Sequence, residues 1–229
     1  MITADNFLGD IRIDVNRCPD PLIERELRKA IIHLCEQASV WLHDDYIELI
    51  PGECDYSISV PEPEDITLPP QADIQSIVGA WHGTRILEPA NHHDIADEVR
   101  LSSGKTSRRS IGLLSYTATN RGDIRLLGEP NVNNTEDLRF SVSLKPSRVA
   151  EEYPDFLSSD YHETIVHGAT GYLMMMAGRE WTNTDLGTWH RRQFDERIIE
   201  ARQEVDRAHS TNNQRLKPRR FAPGRRNCQ

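Results

Sequence analysis

Residues 154–208 constrain the fold more than any other stretch, because apolar residues recur there at helical spacing in two runs separated by a short tryptophan-bearing break. Tyr161, Ile165, Ala169, Tyr172, Leu173 and Met176 fall three and four residues apart, which places them on one side of a helix. Asp160 followed by Glu163 has the spacing of a capping box, so that helix is expected to begin near Ser159. Gly168 and Gly171 each cost about 1 kcal/mol of helix propensity relative to alanine, and their use is to let another backbone come close. Gly178 is expected to end this helix, and Thr182 or Asn183 to cap the next, with Asp185 in its first turn where a negative charge suits the helix dipole. Leu186, Trp189, Phe194, Ile198, Ala201 and Val205 supply the second apolar stripe. Between them lie Arg191, Arg192, Asp195, Glu196, Arg197, Glu200, Arg202 and Glu204, mixed charges suited to water or to a neighbouring subunit. Met176 continues the first stripe into the core, whereas Met174 and Met175 read as interface or partly exposed positions.

A third amphipathic segment matches this pair. Asp20-Pro21 is preorganised to start a helix, and Leu22, Ile23, Leu27, Ala30, Ile31, Leu34, Ala38, Trp41 and Leu42 give an apolar face over residues 21–43. Packing all three helices together is the economical way to cover three stripes, with Leu34 and Trp189 in the shared core. The first 17 residues mix helical and alternating spacings. From Tyr46 the period becomes two: residues 47–50, Pro51-Gly52 and residues 56–60 read as a β-hairpin with one buried and one wet face. Prolines 61, 63, 69 and 70 confine residues 66–68 to an edge strand or a link. Residues 74–81 and 85–87 flank the turn His82-Gly83-Thr84, and residues 111–117 and 123–127 flank Asn120-Arg121-Gly122 in the same way. Residues 92–99 read as a short helix and 102–110 as an exposed loop. Leu138, Phe140, Val142 and Leu144 form the cleanest alternating strand.

The expected class is therefore α+β: a small helix bundle, residues 1–45 and 147–209, carrying an inserted antiparallel β domain, residues 46–146, and ending in an extended basic tail, residues 210–229. The 229-residue chain is long enough to bury a sizeable core. No apolar run approaches the roughly 20 residues that span a bilayer, and no basic segment followed by an apolar signal region opens the chain, so it is expected to stay in the cytoplasm, off membranes. Cys18, Cys35, Cys54 and Cys228 show no paired spacing, which argues against a disulfide framework or a zinc site.

Charge is uneven along the chain. Residues 210–229 hold six basic side chains and no acidic one, so removing those six from the net −9 leaves −15 on residues 1–209. Such a body repels nucleic acid. In the tail Arg215, Lys217, Arg219, Arg220, Arg225 and Arg226 surround Phe221, with Pro218, Pro223 and Gly224 opposing a regular helix. Three readings fit it: a solubilising disordered end, an arm that orders on an acidic partner with Phe221 as anchor, or a segment that binds nucleic-acid phosphates.

Motifs for chemistry are weak. The run from His162 to His167 resembles the zincin motif HExxH but has one residue too many, so its histidines lie ~140° apart around a helix at about 100° per residue. His92-His93-Asp94 lacks a partner motif and reads as a helix start in a loop. Ser158 and Ser159 have no nucleophile setting, and there is no P-loop, dinucleotide fingerprint or calcium loop. An enzyme is not expected, nor a metal or other cofactor.

Pro154-Asp155-x-Leu157, Tyr161-x-Glu163-x-Ile165, Gly168-Ala169, Trp181-Thr182-Asn183 and His190-Arg191-Arg192-x-Phe194 together resemble the C-terminal half of head-to-tail adaptor (connector or neck) proteins of tailed bacteriophages. That resemblance covers about a quarter of the chain. It implies a structural virion protein of the neck, assembled in the host cytoplasm. It further implies a homo-oligomeric ring, a dodecamer, that joins the portal protein to a downstream tail or nozzle protein and lets DNA pass on ejection without binding it specifically. The resemblance makes the portal the partner of Arg215, Lys217, Arg219, Arg220, Phe221, Arg225 and Arg226. A nucleic-acid-binding protein using the same basic tail is the alternative.

Overall fold

A computed structural model describes residues 1–50, 53–60, 71–90, 115–118, 121–127 and 138–209. Within them the chain is α+β, with five helices and two four-stranded sheets. The helices are α1 (Asp5–Asp14), α2 (Asp20–Ala38), α3 (Phe156–Ser159), α4 (His162–Met174) and α5 (Thr184–His209). The strands are β1 (Trp41–Ile47), β2 (Asp55–Ser57), β3 (Ala72–His82), β4 (Arg85–Ile86), β5 (Glu88–Pro89), β6 (Ser115–Ala118), β7 (Asp123–Leu127) and β8 (Leu138–Pro146). The sequence segments 61–70, 92–99, 102–110 and 111–114, for which a link, a helix, a loop and part of a strand are expected, lie outside the described residues, as does the tail.

The first sheet runs β1-β8-β3-β4 and the second β2-β7-β6-β5; every pairing is antiparallel except β5 on β6. The turns expected at Gly83 and Gly122 close β3–β4 and β6–β7, both glycines having positive φ (57° and 112°). The hairpin expected over residues 47–60 does not form. Instead β1 pairs with β8 over seven residues, Trp41 opposite Leu144 through Ile47 opposite Leu138, while β2 pairs with β7. The long apolar strand β8 is the better partner: it takes β1 on one side and β3 on the other, and Leu138, Phe140, Val142 and Leu144 are all completely buried. Its alternate residues Ser141 and Ser143 are buried too, so β8 is covered on both faces. Phe140 meets the Tyr116 ring of the second sheet edge-on at 5.8 Å.

Helix α2 starts where Asp20-Pro21 predicts but ends at Ala38, five residues short of the expected His43. Ser39 adopts the left-handed conformation (φ 51°) and returns its N–H to the Cys35 carbonyl. Trp41 and Leu42 consequently enter β1. The remaining stripe of Ile23, Leu27, Ala30, Ile31, Leu34 and Ala38 is buried as expected.

The capping box at Asp160 and Glu163 is not made. Asp160 accepts the Ser159 hydroxyl at 2.8 Å, Glu163 pairs with Arg197 at 2.6 Å, and a break between α3 and α4 replaces one continuous start. Helix α4 ends at Met174, before Gly178, which takes a positive φ (72°) in the connecting turn. Asn183 provides the cap of α5, its side-chain oxygen accepting Leu186 N–H at 3.1 Å. Thr182 instead fastens the turn, accepting Arg179 N–H at 2.9 Å and donating to the Met176 carbonyl. Met174 is buried, against the expectation of partial exposure, because Gly187 of α5 lies directly over it; Met175 is exposed and Met176 half-buried.

Helices α4 and α5 pack on each other and both on α2, while α1 packs on α4 and α2. Helix α2 also contacts β8. The buried apolar side chains of helices and strands make one continuous core.

Candidate interaction surface on the helical hairpin

Two sides of the α4–α5 hairpin have opposite chemistry. On the inner side Ile165, Ala169, Leu173 and Phe194 are inaccessible, with Ile198 and Ala201 nearly so. Gly168 explains how the helices come so close: a Cβ there would stand 2.8 Å from the Phe194 ring and 2.9 Å from the Ala30 methyl. One glycine thus brings α2, α4 and α5 together. Replacing Gly168 by valine is expected to destabilise the protein by about 2–3 kcal/mol in urea unfolding, since the overpacking outweighs the roughly 0.3–0.5 kcal/mol gained in helix propensity. A variant as stable as the parent would show that the helices can separate without loss.

Gly171 seats the aliphatic stem of Arg191, whose guanidinium lies 4.5 Å over the Tyr172 ring. The Tyr172 hydroxyl is 2.7 Å from His33 Nδ1 of α2, and burial raises its pKa while Arg191 opposes that rise. The Glu26 carboxylate, almost fully buried, is held by Lys29 at 2.7 Å and Arg25 at 2.8 Å. The His33–Tyr172 contact ties α2 to the hairpin, whereas Glu26 is partnered within α2 itself.

The histidines of the HExxH-like run diverge, as their spacing implies. His162 Nε2 lies 2.6 Å from Asp10 of α1, its ring stacked on Phe7 at 4.9 Å. His167 turns to α5, its Nδ1 2.9 Å from His190 Nδ1. Among the described residues no group of three or more His, Cys, Asp or Glu side chains is placed to hold a metal ion. Complete burial pushes the Cys35 thiol up to about 12, so it is protonated at neutral pH.

The outer side of α5 is uncovered. Trp189 is 49 % exposed and Ile199 57 %, set among exposed Arg192, Asp195, Glu196 and Glu200. This corrects the expectation that Trp189, with Leu186, continues the buried stripe. Counting back from Phe194, the residue one turn earlier is His190, and it is His190 that is buried; Trp189 lies five residues before Phe194 and so about 140° away from it. The signal was present in the spacing, but tryptophan's apolarity outweighed it. Near the far end of α5, Arg202, Val205 and Asp206 line a groove of about 290 Å³ with Glu36, Leu42 and Val78.

The seven tail residues Arg215, Lys217, Arg219, Arg220, Phe221, Arg225 and Arg226 lie outside the described residues. No described helix is long and apolar enough to cross a membrane. The chain matches no protein-family model and no curated protein sequence.

Proposed function

We propose that this chain is a structural subunit of the neck of a tailed bacteriophage, a head-to-tail adaptor that assembles with copies of itself into a ring between the portal and the next tail component. In this reading the three long helices act as one bundle, the two sheets as its inserted domain, and residues 210–229 as a basic arm that engages the portal. DNA passes through the ring without being gripped.

The observation that carries the reading is the division of labour within the hairpin. Ile165, Gly168, Ala169 and Phe194, which carry the resemblance to adaptors, are the residues that lock α2, α4 and α5 together. The opposite side of α5 leaves a half-exposed tryptophan and an exposed isoleucine among alternating charges, a composition suited to contact with another protein. The −15 body agrees with a channel wall that does not hold DNA.

The test is a chain ending at His209, compared with the full chain for folding and for attachment to the portal, with electron microscopy of the assembled particle. The expected result is normal folding with loss of portal attachment. A truncated chain that attaches as well as the full one would remove the arm from the interface. Rings absent from portal-bound particles would refute the adaptor reading itself.

A further inference from the structure

Three helices meet at a pair of histidines. His190 of α5 is buried (4 % exposed) and its Nδ1 lies 2.9 Å from His167 Nδ1 of α4, while its Nε2 faces the Asp14 carboxylate at the end of α1, 3.7 Å away. A contact between two ring nitrogens at this distance needs one N–H donor and one lone pair. Asp14 settles which is which: it favours the proton on His190 Nε2, leaving His190 Nδ1 to accept from His167 Nδ1–H. Trp189 covers the pair, its ring edge-on to His167 at 5.4 Å and to His190 at 4.9 Å.

We propose that His167 and His190 form a proton-operated joint that holds α1, α4 and α5 closed while His190 Nδ1 is unprotonated and can accept, and that opens when His190 is protonated there. A first proton goes to His167 Nε2, which leaves the Nδ1–H donor and the bond intact. A second, on His190 Nδ1, sets two N–H groups against each other at 2.9 Å and removes the acceptor. The rings must then part, and Trp189 and the first turns of α5 move with them.

The surroundings fit such a device. The charged groups facing the pair are Asp14 from α1, Glu163 from α4 and Arg197 from α5, the last two paired with each other at 2.6 Å. Helix α2, which also packs on the hairpin, commits His33 to the Tyr172 hydroxyl and Glu26 to Arg25 and Lys29. Burial lowers the pKa of both histidines, and for His167 the neighbouring His190 and Arg197 add to the fall. At this pair the folded chain therefore takes up fewer protons than the unfolded one below the ordinary histidine value. The joint contributes its full stability above that value and loses it as pH falls.

The experiment is a titration of full-length protein from about pH 7.5 to 4.5, following tryptophan emission and hydrogen exchange of residues 5–14 and 184–196. Wild type should show an emission change with a midpoint below about 6, absent in Trp189→Phe, together with at least a roughly tenfold rise in exchange in both segments. In His190→Asn, whose side-chain oxygen can still accept the His167 proton, the change should vanish or move at least about one pH unit lower. An unchanged midpoint in that variant, or flat emission in wild type, would overturn the joint. Should the variant not fold, the histidine ring-proton signals of wild type decide. Two coupled steps, the later one coinciding with the emission change, support the proposal, and nine independent titrations at ordinary values refute it.

Discussion

Truncation of Phe194 to alanine is expected to destabilise the protein by about 3–5 kcal/mol, at the upper end for a buried aromatic residue. The ring is completely buried and touches each partner of its helix: His33 of α2 edge-on at 5.5 Å, Tyr172 of α4 at 6.2 Å, and the bare backbone of Gly168. What raises the loss is the lack of anything able to refill the space. Gly168, against which the ring lies, has no side chain to extend, and α2 and α4 are each fixed by contacts elsewhere. The cavity should persist, so the cavity penalty adds to the lost transfer energy. Trp189 is the matched control: a larger side chain on the same helix, but half exposed, so alanine there should cost distinctly less. Denaturant unfolding followed by circular dichroism measures both. A loss below about 1 kcal/mol for Phe194→Ala, or one no greater than that for Trp189→Ala, would mean the helices do not share this core.

What sequence revealed here depended on how far apart the interacting residues lie. Period and local turn chemistry located α2, α4, α5, β8 and the turns at Gly83 and Gly122, because those signals are complete within a few residues. The partner of β1 was not legible. Pairing Trp41–Ile47 with Leu138–Pro146 closes a loop of about ninety residues, and nothing within either segment names the other. The end of α2 is not legible for a related reason: Trp41 and Leu42 fit the helical stripe and the strand equally well, and only the pull of β8 decides between them. At the candidate surface, mixed charges on α5 were legible as an exposed face. The histidine pair was not, since His167 and His190 lie 23 positions apart and Asp14 belongs to a third helix. The failed capping box has the same physical origin. Glu163 reaches Arg197 across the hairpin instead of its own backbone, a tertiary contact overriding a local one.

Phe140→Ala is the second large effect, again about 3–5 kcal/mol, and it tests whether helices and sheets stand or fall together. Phe140 sits mid-strand in β8, opposite Asp45 of β1 and Ala80 of β3, and its fully buried ring meets Tyr116 of the second sheet edge-on. Deleting it empties the space between the sheets and forfeits an aromatic pair worth about 0.5–1.5 kcal/mol beyond its buried area. Because β8 also contacts α2, and α2 packs on both α4 and α5, strain in the sheet has a packed route to the hairpin. The four tryptophans report on the two regions separately: Trp41 and Trp81 stand in the first sheet, Trp181 and Trp189 at the hairpin. If the continuous core makes one cooperative unit, single-tryptophan versions of Phe140→Ala should unfold at one common, lowered denaturant concentration whichever tryptophan is kept. A hairpin signal that keeps the parent midpoint while the sheet signal falls would show instead that the two regions fold independently, and that the contact of α2 with β8 transmits no stability.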